Sequence, residues 1–136
     1  MAMAGDAAQR KHVLVVNAAP VFLDLARELL RDERYDVTTT SFVPRAFDQI
    51  AALQPDLLLI DLTAGERVGW DLLERLQREV RTRGIPVIVT STDPRLLDRA
   101  GAHAGRYGAD YLLAMPFDIA ELVGATHTLI GAAEGG

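Results

Sequence analysis

Asp61 follows the apolar run Leu57-Leu58-Leu59-Ile60 and precedes a glycine-containing loop over residues 63–69. A carboxylate at the carboxyl end of a buried strand stands where an open α/β sheet keeps its chemistry. It could accept a phosphoryl group, hold a metal ion or take a proton. Each of these needs helpers. Phosphoryl transfer to a carboxylate brings negative charge onto negative charge, so cations must offset the repulsion. A hard metal ion needs further oxygen ligands. The chain has no cysteine, so thiolate ligands and thiol nucleophiles are excluded. Its only lysine is Lys11, which precedes the first apolar run and belongs at the opposite end of a sheet. His12, His103 and His127 have no metal-site spacing. Glu66 and Asp93 are close enough in sequence to swing toward Asp61. Their plainer roles are a loop charge and a helix cap. No G-x-S-x-G, phosphate-binding glycine loop or zinc motif is present.

The elements that must position Asp61 alternate regularly. Val13-Leu14-Val15-Val16 is a continuously apolar, β-branched run that suits a strand buried on both faces. Pro20 opens a helix with Phe22, Leu25, Ala26, Leu29 and Leu30 at helical spacing. Residues 35–41 read as a second, more exposed strand. Val43, Ala46, Phe47, Ile50 and Leu53 form a second helical stripe, closed by Pro55. The third strand is the run that ends at Asp61. Gly69, Leu72, Leu73, Leu76 and Val80 predict the third helix, with Gly84 as its stop and Trp70 as a packing anchor.

Pro86-Val87-Ile88-Val89-Thr90-Ser91 is the fourth strand, and Asp93-Pro94 caps and opens the next helix. Gly101 and Gly105 predict that this helix is the least rigid. Residues 109–114 form the fifth strand. Asp118 and Glu121 predict a capping box for the last helix, which carries Ile119, Leu122, Val123, Thr126 and Ile130. Five strands alternating with five helices give a parallel sheet covered on both faces. Right-handed crossovers predict a flavodoxin-like (βα)5 doubly wound α/β fold, strand order 2-1-3-4-5. Asn17 and Asp61, ending the first and third strands, then meet at the switch point. Residues 12–131 are the expected domain, with flexible tails at 1–11 and 132–136.

The 136 residues suffice for one domain with a substantial core. Apolar residues make up 49% and charged residues 24%, as in soluble globular proteins. The N-terminus does not read as an export signal, so a cytoplasmic location is expected. No apolar run is long enough to span a bilayer. The net charge of −5 argues against nucleic-acid binding by this chain itself. Arg67, Arg75, Arg78, Arg81 and Arg83 crowd one stretch, which reads most simply as a solvated helix face.

Several segments form a recognisable set: residues 13–20, Pro55 to Leu62 with Gly69 eight residues after Asp61, residues 85–91, and Gly108-Ala109-Asp110 followed by Met115-Pro116-Phe117. Together they resemble the response regulator receiver family of two-component signalling, over nearly the whole chain. The resemblance implies that Asp61 is the phosphoacceptor position, Ser91 the switch hydroxyl and Pro116 a proline preceded by a cis peptide bond. It also implies an acidic pair holding Mg²⁺ and a lysine contacting the phosphoryl group. Those positions fall on Asn17, Ala18 and Met115. The family's aromatic switch position falls on Leu112, with Tyr111 one residue earlier. Thr63 stands where a main-chain carbonyl would reach the metal.

These departures imply an atypical receiver that is not an enzyme. It would act through protein–protein contacts with a histidine kinase, regulator or output protein, and its Asp61 phosphorylation would be impaired or lost. No cofactor is expected. Mg²⁺ enters only under the alternative reading, a phosphorylatable regulator with weak metal binding at Asp61, Asn17 and Thr63. A third reading is a small-ligand sensor whose pocket is made less charged by Ala18, Ala19 and Met115. In the family, the face built from the fourth helix, fifth strand and fifth helix docks partners. Here it spans residues 96–130 and is also the candidate homodimer contact.

Overall fold

The computed structural model describes residues 10–17, 19–41 and 45–131. Five strands, β1 (His12–Val16), β2 (Asp36–Thr40), β3 (Leu57–Asp61), β4 (Val87–Ser91) and β5 (Tyr111–Ala114), form one sheet. All pairs are parallel and the order is β2-β1-β3-β4-β5, the doubly wound arrangement predicted. Among the described residues six helices connect and flank the strands: α1 (Pro20–Asp32), α2 (Ala46–Leu53), α3 (Val68–Arg78), α4 (Pro94–Ala102), α5 (Ala104–Tyr107) and α6 (Ile119–Ile130).

Strand alternation divides the apolar side chains between two cores. Leu14, Val16, Leu58, Ile60, Val87 and Val89 pack with α2, α3, α4 and Tyr107 on one face. Val13, Val15, Leu57, Leu59, Ile88 and Leu113 pack with α1 and α6 on the other. Burial on both faces explains why the inner strands read as unbroken apolar runs. Trp70 is the expected anchor: it is buried, its ring centroid is 4.7 Å from that of Tyr107, and the Arg99 guanidinium lies 4.6 Å over it.

The helices differ from the sequence pattern at several points. Helix α3 stops at Arg78, and Val80 is 75% exposed. Leu25, Leu53 and Ile119, each counted in an apolar stripe, are also exposed. The expected fourth helix is two helices, parted at His103 rather than at either glycine. Asp93 caps α4 as predicted, its Oδ1 accepting from Arg95 N at 3.0 Å. Asp118 does not form the predicted box: its side chain makes no cap bond, and Glu121 N donates to the Asp118 main-chain oxygen instead. Val43 and Ala18 lie outside the described residues.

Candidate functional site

The β3–β4 register sets Asp61 beside Thr90 at the carboxyl edge of the sheet. Thr90 Oγ1 donates to Asp61 Oδ1 at 3.1 Å, and Thr63 Oγ1 donates to Oδ2 at 3.3 Å. Both oxygens of the carboxylate are thus met by neutral hydroxyls. Burial raises the Asp61 carboxyl above the usual range and the like charge of Glu66 adds to it, while the Thr90 and Thr63 hydroxyls pull it down without cancelling the rise.

Asn17 is buried and leaves β1 beside Asp61, because the preceding Val16 pairs with Ile60. Its side-chain Oδ1 accepts from Ala19 N at 2.6 Å, and its own N–H donates to Thr40 O. The amide oxygen therefore shapes the turn into α1. Thr63 O similarly accepts from Glu66 N at 3.2 Å, closing the loop after β3.

Ser91 is buried on the other face of β4. Its Oγ donates to Leu62 O at 2.7 Å and accepts from Asp93 N at 3.1 Å. Thr90, which the sequence pattern passed over, is the hydroxyl that meets Asp61. The signal for it was parity: Ile88 and Thr90 share a face with Leu59 and Asp61 once the strands are paired.

Met115 lies against the α1–α6 core, its N–H bonded to Ser91 O. The Met115–Pro116 peptide bond is cis. Phe117 packs edge-on to Phe22, with ring centroids 6.0 Å apart. Lys11 is at the far end of the sheet, where its carbonyl accepts from Asp36 N. Asp93 is committed to α4 and to Arg95, and Glu66 is exposed. Leu112 is 37% exposed on β5 and lies so near Gly101 that a Cβ there would meet its Cδ1 at 2.9 Å.

A parallel sheet in this order, with an acceptor-like carboxylate ending β3, a hydroxyl-bearing end of β4 and a cis-proline turn after β5, defines a receiver domain. The chain belongs to the response regulator receiver domain family, whose model matches residues 13–127. It is 33% identical over 112 residues to the transcriptional regulatory protein TcrX of Mycobacterium tuberculosis, covering 82% of this chain and 46% of that protein. It is 29% identical over 118 residues to the DNA-binding dual master transcriptional regulator RpaA of Synechocystis, covering 87% of this chain and 48% of that protein. The chain thus spans about half the length of these curated relatives. The receiver domain of a sensor histidine kinase from Pseudomonas aeruginosa superposes with a TM-score of 0.76 at 23% identity, covering 90% of this chain and 99% of that one. That domain holds a magnesium ion in its active-site cleft. In this chain, no helix among the described residues is long and apolar enough to cross a membrane.

Proposed function

We propose that this chain is an atypical receiver of two-component signalling that acts by binding another signalling protein, with phosphorylation of Asp61 impaired or absent. The observation that carries this is the setting of the carboxylate: two threonine hydroxyls bond it, Glu66 repels it, and burial favours its neutral form. A phosphoacceptor works as an ionised nucleophile, with cations nearby to offset the incoming charge. Here a thioether stands at the lysine position.

The donor set fits Mg²⁺ poorly. Asp61 is one carboxylate, the Asn17 amide oxygen already bonds Ala19 N, and Ala18 has no ligand atom. Among the described residues no group of three His, Cys, Asp or Glu side chains gathers to hold a metal. Binding would then rest on surface shape and charge. The partner class is a histidine kinase, another regulator or an output protein, and residues 96–130 are the candidate contact for a second copy.

The deciding experiment treats the protein with acetyl phosphate and Mg²⁺ and reads intact mass. No stable phosphoryl gain is expected. A stoichiometric gain that disappears in Asp61→Asn would overturn the proposal. Ala18→Asp combined with Met115→Lys is expected to move the protein toward phosphorylation.

A further inference from the structure

Charge is divided unevenly along the chain. Residues 67–106 carry eight arginines and five carboxylates, while the remaining residues carry six basic and fourteen acidic groups. The excess concentrates where α3 ends. Arg75, Arg78, Arg81 and Arg83 are all exposed, with the half-buried Glu79 the one carboxylate among them. Among the described residues, no carboxylate lies within ion-pair distance of these four guanidinium groups. The Arg75 guanidinium lies 3.8 Å from the Phe47 ring centroid and that of Arg81 lies 5.8 Å from it, so the ring helps to hold both in place.

Arg81 also lines a cleft at the amino end of the sheet, opposite Asp61. Pro55, Val80, Arg81, Gly84, Ile85 and Pro86 line it. Val80, left out of α3, offers an exposed apolar surface there. Gln54 holds one wall by donating to Arg81 O at 2.9 Å. Asp56 also lines the cleft, and its Oδ2 accepts from His12 N at 2.8 Å.

We propose that the exposed arginines at the end of α3, with the cleft that Arg81 and Val80 line, dock an extended, carboxylate-rich segment of a partner protein, one apolar side chain of which packs on Val80 at the cleft. Guanidinium groups with no carboxylate within ion-pair distance match carboxylates in sign and in hydrogen-bonding geometry. Exposed Val80, beside Pro55, Ile85 and Pro86, supplies an apolar contact that charge alone lacks. A nucleic acid fits less well. Its phosphate backbone runs on past the patch, over a surface whose remaining charge is strongly negative. The docking site is remote from Asp61, so recognition here does not require the acceptor to be modified. It goes beyond the reading of Asp61: that reading is tested by phosphorylation and this one by binding, so each can fail alone.

The test uses the full chain and a fluorescein-labelled peptide of alternating Asp and Glu with one central leucine, followed by anisotropy. Saturable micromolar binding is expected, weakening about tenfold as salt rises from roughly 50 to 300 mM. The double variant R78E/R81E is expected to lose binding at least about tenfold. Gly84→Phe should lose it as well, by filling the cleft. Gly84 has open space beyond its Cβ position and no left-handed φ, so this variant folds, as circular dichroism will check. Replacing the peptide's leucine with serine should weaken binding. Absent binding, binding unchanged in both variants, or equal or tighter binding of duplex DNA would overturn the proposal.

Discussion

A carboxylate half withdrawn from water is costly to ionise, and Asp61 has only hydroxyl donors to offset that cost. The sign of its pH dependence follows. Its folded pKa lies above the unfolded value, so its contribution favours the folded state most below the unfolded carboxylate range and is lost as pH rises through the folded pKa. At neutral pH the ionised group is a net burden. Asp61→Asn keeps an acceptor for Thr90 and removes the charge. It is expected to raise the thermal unfolding midpoint at pH 7 by roughly 2–4 °C, with the gain fading as pH falls toward about 4. A midpoint that drops at pH 7 would mean that a cation outweighs burial at this site. The place of Asp61 was legible in the sequence because a strand end and a following glycine loop mark it. Thr90 was not. Which hydroxyl bonds Asp61 depends on register and on which face each β4 residue takes, and linear spacing alone gives neither.

Strands were easier to read than helix ends. Burial on both faces makes a strand's sequence unmistakable, whereas a helix ends wherever its last carbonyls find other partners. The apolar spacing of α3 continues to Val80, yet the helix stops at Arg78. Thr82 supplies the reason. It is buried, and its Oγ1 donates to Leu76 O at 2.7 Å, turning the chain back over the end of the helix and leaving Val80 in solvent. Thr82→Val removes that donor at nearly constant volume. It is expected to cost about 1–2 kcal/mol in chemical denaturation, because the Leu76 carbonyl loses its partner in a buried place. Val80→Ser should change stability by less than about 0.5 kcal/mol, since the side chain is exposed. If the two variants cost the same, Thr82 does not set this end. The break at His103 also escaped the pattern. The glycines marked that region, but the turn falls between them, where His103 O accepts from both Arg106 N and Tyr107 N.

At the scale of the molecule, the sheet separates two cores, and the elements over one of them come from both ends of the chain. Helix α1 and helix α6 cover the same face, and Tyr35 fastens them. Its hydroxyl donates to Gly131 O at 2.6 Å, tying the start of β2 to the end of α6 across 96 residues of sequence. Composition could not reveal a contact between positions so far apart; Tyr35 read only as the edge of an exposed strand. Burial first, and the nearby Glu33 charge second, push the Tyr35 phenol from 10.0 up to about 12. Its folded pKa exceeds the unfolded one, so its contribution is fully present below pH 10 and is lost as pH rises toward 12. In an alkaline titration followed by tyrosinate absorbance, the Tyr35 step should therefore fall at about pH 12. Tyr35→Phe should abolish that step and lower stability at neutral pH by about 1 kcal/mol through the lost hydrogen bond. The variant's stability should also fall less steeply above pH 10 than that of the parent. A step at about pH 12 that survives in Tyr35→Phe would show that it does not belong to Tyr35. The closure of this core would then rest on apolar packing alone.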